Sequence, residues 1–268
     1  MKKATANVYL EKATCIILLI FALFLPFGGE KMHNTANASA PKVHLVASFS
    51  TYYGESSQNR KDNVALAARK IDGIALQPED EFSFNDIVGA RTEENGFKSA
   101  YIIQDGAFVE GIGGGVCQVS STLYNCALLA NLAITCVRAH SLPVGYVAPS
   151  FDAMVSSASD LRFVNTLSAP ITIRMSADGN YLKAQIYGVE KFEIKRRSQT
   201  LEILPFEIEY RTDATLKAGE EMIDTYGKEG LKSQGFLDYY ENGKLSKSVL
   251  VRQDFYAPQK RIVLIGGS

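Results

Sequence analysis

The stretch GIGGGVCQVSSTLYN, beginning at Gly111, constrains this chain more than any other. It runs three glycines, Gly113, Gly114 and Gly115, straight into residues with helical spacing. Val116, Val119, Leu123, Ala127 and Ala130 fall on one face and predict an amphipathic helix to about residue 130. Cys117 lies in its first turn, where uncapped backbone N–H groups and the positive end of the helix dipole favour thiolate over thiol. The glycines let backbone or substrate approach closely and permit positive φ. The arrangement suits an activated nucleophile. It suits equally a tight turn feeding a core helix.

The surrounding pattern predicts helices early and antiparallel strands later, an α+β plan. Residues 43–53 alternate as a strand and lead into a polar loop at 54–61. Val64, Ala67, Ala68 and Ile71 mark a second helix, closed by Gly73. Phe82, Phe84 and Ile87 indicate an extended, partly buried segment, followed by a helical turn near 95–100 and a short strand at 101–103. Further strands are expected at 133–138, 144–147, 161–165, 171–176 and 182–187, with Asp178, Gly179 and Asn180 as the hairpin turn between the last two. After Gly188 the chain becomes charged and β-rich, without helical periodicity. A second domain, small, elongated and all-β, is therefore expected from 196 to 268, with a protease-sensitive junction at 191–199.

Lys2, Lys3 and Lys12 precede an uncharged apolar run from Ala13 to Phe27. This describes a signal peptide or short N-terminal membrane anchor within residues 1–40, with Ala38-Ser39-Ala40 or Ala36-Asn37-Ala38 as cleavage sites. The run is shorter than the ~20 residues a transmembrane helix needs. The remainder is expected to be exported, with membrane contact through this segment alone. With 28 basic and 29 acidic residues interspersed, the chain lacks the basic footprint of a nucleic-acid binder. Outside the leader only Cys117, Cys126 and Cys136 remain, an odd number for a disulfide framework. Cys126 and Cys136 could pair, or both could be buried thiols. No CxxC occurs, and His44 and His140 are the histidines outside the leader, so neither a metal nor another cofactor is expected.

Four separated blocks together carry a family resemblance: FSFNDIVGARTEENGF from Phe82, GIGGGVCQVSSTLYN from Gly111, AHSLPVGYV from Ala139 and DLRFVN from Asp160. They resemble the VanW family, bacterial envelope proteins named from a vancomycin-resistance cluster, and place a VanW-like α+β domain at 43–188. From about Lys195 the chain resembles the five-glycine (G5) domain of Gram-positive surface proteins. That likeness rests on Leu204-Pro205-Phe206-Glu207, Gly219, Gly227, Gly230, Tyr240-Glu-Asn-Gly243 and Ile265-Gly266. The resemblances imply an exported protein at the cell wall or membrane surface, acting in envelope maintenance with peptidoglycan or another wall glycan as partner.

Cys117, His140 and Asp152 follow the chain order of a nucleophile, its base and the orienting carboxylate, the order found in transglutaminase-like and papain-like cores. Their expected chemistry is acyl transfer or amide hydrolysis by a cysteine-dependent peptidoglycan hydrolase or transpeptidase-like enzyme. Gln118, or backbone N–H groups of 116–118, would stabilise the oxyanion. Gly113, Gly114 and Gly115 would line the substrate groove. Arg91 and Arg138 would pair a substrate carboxylate, or else form surface ion pairs with Asp86, Glu93 or Glu94. Asp160 and Asn165 are alternatives to Asp152. The competing expectation is a non-catalytic module binding peptidoglycan or a partner protein. In it Cys117 is a packing residue, and Tyr52, Tyr53, Tyr101, Tyr124 and Tyr146 offer platforms for sugars.

Overall fold

The structure, a computed structural model, describes residues 42–104 and 107–267. The apolar leader and its cleavage sites lie outside the described residues. The N-terminal part comprises β1 (His44–Tyr52), α1 (Gln58–Ile71), β2 (Ala75–Leu76), β3 (Glu81–Ser83), α2 (Phe84–Val88), β4 (Ser99–Gln104), β5 (Ala107–Ile112), α3 (Val116–Leu129), β6 (Ala133–Cys136), β7 (Arg162–Val164), β8 (Ile171–Ala177) and β9 (Tyr181–Gly188). The remainder is all-β: β10 (Ile194–Leu204), β11 (Ile208–Asp213), β12 (Glu221–Thr225), β13 (Gly230–Glu241), β14 (Lys244–Tyr256) and β15 (Arg261–Gly266). Among the described residues no helix is long and apolar enough to cross a membrane.

Strands β1, β9, β8 and β2 form an antiparallel sheet in that order. Burial alternates along β8 and β9, so each turns one set of side chains to the core. Helix α3 packs on β1 and β9, and α1 packs on β8. Val64, Ile71, Val119, Leu123, Ile173 and Ile186 are fully enclosed between these layers. Beside them, β3, β7 and β6 form a small sheet in which the Phe82 and Phe163 rings stack at 4.6 Å. The β4–β5 hairpin stands apart from both sheets.

Four local expectations need correction, each for a physical reason. Helix α1 starts at Gln58, inside the expected polar loop, because the Ser57 side chain caps it by accepting from the Arg60 N–H. Phe84–Val88 is a short helix rather than an extended segment. Ser83 caps it, accepting from the Asp86 N–H at 3.2 Å, while Asp160 accepts from the Asn85 N–H at 2.9 Å. Residues 144–147 form no strand. Finally, α3 is buried around its whole circumference rather than on one stripe, with Gln118, Ser120, Ser121, Thr122 and Asn125 all enclosed.

That polar face of α3 is covered by irregular chain and by the second part of the protein. Strands β10, β13 and β14 form one antiparallel sheet; β11, β15 and β12 form another, in which β11 and β15 run parallel. From β10, the Arg196 guanidinium lies over the Phe49 ring at 4.1 Å and the Phe151 ring at 4.8 Å and donates to the Asn125 side-chain oxygen. Ser198 donates to the Pro149 carbonyl (2.8 Å), and Ser233 shares a hydrogen bond with Ser150 (2.7 Å). Leu237 joins the same hydrophobic core as α3 and β1. Residues 41–268 accordingly form one compact unit.

Of the expected junction, residues 194–199 are already paired with β13. Cleavage by trypsin is therefore expected at Lys191, in the unpaired link. The two fragments should then co-elute on gel filtration, because the contacts between them are buried. Separation of the fragments under native conditions would contradict this interface.

Candidate active site

The glycine loop is shaped by what lies beneath it. Gly115 caps α3 with φ of 103°, and a Cβ there would meet Val64 Cγ2 at 2.9 Å and Arg60 Cγ at 3.0 Å. A Cβ on Gly114 would come within 2.6 Å of the Tyr101 carbonyl oxygen. Both positions exclude larger residues, the first by conformation and space, the second by space. Buried Asn63 on α1 pins the loop by donating to the Gly114 carbonyl at 3.0 Å. The chain thus turns tightly between α1 and β4 and delivers Cys117 to the first turn of α3.

The structure brings Cys117, His140 and Asp152 together. Cys117 and His140 line one cleft, the thiol donates to the Val155 carbonyl at 3.4 Å, and the His140 ring lies close enough to act on its charge. Asp152 Oδ2 accepts from both the backbone N–H (2.7 Å) and Nδ1 (2.6 Å) of His140, so Nε2 is the nitrogen left for the thiol. Burial alone would disfavour a thiolate. The hydrogen bond and charge of His140, helped by Arg91, outweigh it and hold Cys117 below the usual thiol value. Burial likewise opposes an imidazolium, but Asp152 and Cys117 push His140 up to about 9. Burial tends to raise Asp152, and His140, Arg252 and Tyr256 bring it below the ordinary carboxylate value. All three directions favour a thiolate–imidazolium pair backed by a carboxylate.

Asp152 is itself held from the C-terminal part. Its second oxygen, Oδ1, accepts from the Tyr256 hydroxyl at 2.6 Å and from Arg252 at 3.0 Å, while its carbonyl accepts from Arg252 at 2.9 Å. Arg252 is fixed in turn by Asp254 at 2.7 Å. Sequence reading missed Arg252 and Tyr256, which lie about a hundred residues downstream in a β pattern that gives no sign of contact with the helix.

The thiol opens onto a cleft of about 580 Å³ between the β4–β5 hairpin and the 140–157 segment. Gly113, Gly115, Gln118 and Arg91 line it, as does Arg60, which sequence reading had left in a loop. Gly114 is packed below the cleft. Arg138 is exposed on a separate shallow depression beside Asp160 and Arg162, so it is not a partner of Arg91. Gln118 is corrected as an oxyanion donor: its amide hydrogens go to Thr51 (2.9 Å) and the Tyr52 carbonyl (3.0 Å), and its oxygen accepts from Arg60 (2.7 Å). Asp160 serves Ser83, Asn85 and Arg162, and Asn165 closes a loop against Leu76 and Ala169; neither reaches His140.

Cys126 is buried, Cys136 is exposed, and both are free thiols. Tyr53 and Tyr124 are core residues, Tyr52 packs on Tyr181, and Tyr101 and Tyr146 alone of the five tyrosines line the cleft. Among the described residues no cluster of three or more His, Cys, Asp or Glu side chains is arranged to hold a metal ion.

Residues 59–187 match the family described as "VanW like protein", and residues 195–268 match the "G5 domain". The chain belongs to the VanW family and carries a C-terminal G5 domain. It is similar to "Uncharacterized protein YoaR" of Bacillus subtilis, at 40% identity over 66% of this chain and 62% of that protein. It is also similar to "Vancomycin B-type resistance protein VanW" of Enterococcus faecalis, at 25% identity over 48% of this chain and 50% of that protein. The chain thus spans half to about three-fifths of these relatives' length. Two solved structures also match: "Crystal structure of HP0197-G5" (31% identity, TM-score 0.18, covering 29% of this chain and all of that one) and "IgA1 Protease G5 domain structure" (25%, TM-score 0.21, covering 30% and 95%).

The Asp152 anchor in this VanW–G5 pair has measurable consequences. Arg252→Gln breaks a buried charge pair and should destabilise by about 3–5 kcal/mol. Tyr256→Phe removes two hydrogen bonds, the one donated to the Asp152 carboxylate and the one accepted from the Ser150 N–H at 2.8 Å, and should cost at least about 1.5–3 kcal/mol. Thermal melts check both; wild-type melting of either variant would contradict the anchor. Because His140 rises from 6.5 to about 9 on folding, its stabilising effect is complete below pH 6.5 and lost as pH rises through about 9. His140→Ala should therefore flatten the alkaline fall in melting temperature.

Proposed function

We propose that the N-terminal domain, read as α+β, is a cysteine-dependent acyl-transfer enzyme acting on amide bonds of the cell wall, in an exported protein working in envelope maintenance. The observation that carries this reading is the Cys117–His140–Asp152 relay opening onto a cleft. Cys117 thiolate attacks the amide carbonyl. The Val116 and Gln118 N–H groups already bond the Gly113 and Gly115 carbonyls, at 3.1 and 3.0 Å, leaving the Cys117 N–H as the oxyanion donor in this turn. Collapse of the intermediate breaks the C–N bond as His140 gives its Nε2 proton to the leaving amine. The resulting thioester passes its acyl group to water or to an acceptor amine, whose proton returns to His140.

The wall setting is supported by family membership and by the name of the Enterococcus relative, a vancomycin resistance protein. The G5 domain, which the resemblance associates with wall carbohydrate, would hold the enzyme near its substrate and raise its effective concentration there. The domain arrangement in this reading is a VanW-like unit at 43–188 followed by the G5 unit at 196–268, with an N-terminal segment that directs export. Against the alternative of a non-catalytic binding module stands the thiol's setting: a packing cysteine needs neither a place on a cleft wall nor a carboxylate-backed imidazole beside it.

Iodoacetamide provides the test, because exposed Cys136 serves as an internal comparator in the same molecule. Near pH 6.5, Cys117 should be alkylated at least about tenfold faster than Cys136, since a lowered thiol value leaves far more thiolate. His140→Ala should abolish that advantage, and Cys117→Ser should remove wall-processing activity without lowering the melting temperature. Equal rates at the two thiols in the wild type would sink the enzyme reading.

A further inference from the structure

Two cations share the cleft with Cys117, and among the described residues neither donates to a carboxylate. Arg60 donates to Ser56 and Gln118, both at 2.7 Å, and Arg91 donates to the Asn85 side-chain oxygen (2.8 Å) and the Gly89 carbonyl (3.1 Å). Every one of these acceptors is neutral. Arg91 Nη2 is shielded from water and has no hydrogen-bond partner at all. Among the described residues no acidic side chain lines the cleft. The carboxylate that acts on Arg91 is Asp160, which makes no hydrogen bond to it and instead bonds Arg162 at 2.9 Å.

Charge accounting shows what this leaves. His140 is balanced by Asp152, and Arg252 by Asp254. Cys117 thiolate offsets one of the two cleft arginines, so the other has no anion beside it among the described residues of the cleft wall. The balance is unchanged in the thioester, because His140 gives its proton to the leaving amine as Cys117 loses its charge. An unpaired, partly buried guanidinium is costly, and a bidentate carboxylate is its best partner. Ile102, Ile112, Val144 and Met154 supply an apolar stretch of the same wall.

Resting on the acyl-transfer reading, we infer that Arg60 and Arg91 form a carboxylate subsite. The substrate class is a short peptide that carries a free carboxylate close to the reacting amide, with small aliphatic side chains against the apolar wall. The pair Arg60 and Arg91 takes the place that Arg91 and Arg138 were expected to fill. Binding of the carboxylate completes the charge balance of the cleft, which distinguishes this substrate from the corresponding neutral amide.

Iodoacetate and iodoacetamide are alkylators of nearly the same size that differ by one carboxylate. On the full chain, the iodoacetate-to-iodoacetamide rate ratio at Cys117 should exceed that at Cys136 by about tenfold or more at low salt, and should fall as salt rises. The ratio cancels the thiol's own reactivity. A slow Cys117 with a high ratio would therefore contradict the enzyme reading alone, and a fast Cys117 with the Cys136 ratio would overturn the subsite alone. Arg60→Gln and Arg91→Gln should each lower the ratio severalfold, and together bring it to that of Cys136; an unchanged ratio in the double variant would overturn the inference. A measurement on the wild type guards against misfolded variants. N-acetylalanine should protect Cys117 from iodoacetamide at concentrations where N-acetylalaninamide does not, and equal protection by the two would also overturn it.

Discussion

The carboxylate of Asp152 is the interaction on which the rest of the site depends. It is 1% exposed, yet both oxygens and its backbone carbonyl are occupied: His140 on one side, Tyr256 and Arg252 on the other. A buried carboxylate with fewer partners would protonate, and His140 would then lose both its orientation and the charge that favours imidazolium. The order of dependence runs outward from there. Asp152 holds His140, and the charge that Asp152 favours on His140 lowers the Cys117 thiol.

That dependence crosses the boundary between the two sequence families. Arg252 and Tyr256 belong to the region matched by the G5 domain, while Asp152 belongs to the region matched by the VanW family. A β domain attached only as a wall anchor would have no reason to place an arginine, a tyrosine and an aspartate around a neighbour's buried carboxylate. Arg196 makes the same point from another strand, lying between two phenylalanine rings of the first part and bonding Asn125 of the central helix. The second part is thus a supporting wall of the candidate site as well as a module of its own.

The central helix explains how a polar face can be buried without penalty. Ser120 donates to the Ala153 carbonyl (2.6 Å), Ser121 accepts from the Ala153 N–H (2.9 Å), and Asn125 donates to the Phe151 carbonyl (2.7 Å). The irregular segment that carries Asp152 has no sheet partner along these residues, so α3 side chains satisfy its backbone groups instead. Residues that looked like the solvent face of an amphipathic helix are the template on which the 151–153 segment is laid. This is why the helix bearing the nucleophile and the loop bearing the carboxylate keep a fixed distance.

Much was legible from local pattern. The extent of α3, the Cys117 position in its first turn, strands β1, β8 and β9 of the main sheet and the Asp178–Asn180 turn all follow from periodicities and turn chemistry carried by a few adjacent residues. The chain order of cysteine, histidine and aspartate also pointed at three side chains that the fold places close together. What tertiary structure decided was every pairing between distant segments. Arg60 entered the cleft because Ser57 starts α1 early, Arg138 left it because its strand ends at Cys136, and Gln118 was removed as an oxyanion donor by Thr51 and Tyr52. Local sequence determines which face a residue prefers through hydrophobic period and backbone conformation. Which charge meets which carboxylate depends on packing between elements a hundred residues apart, and no local period encodes that.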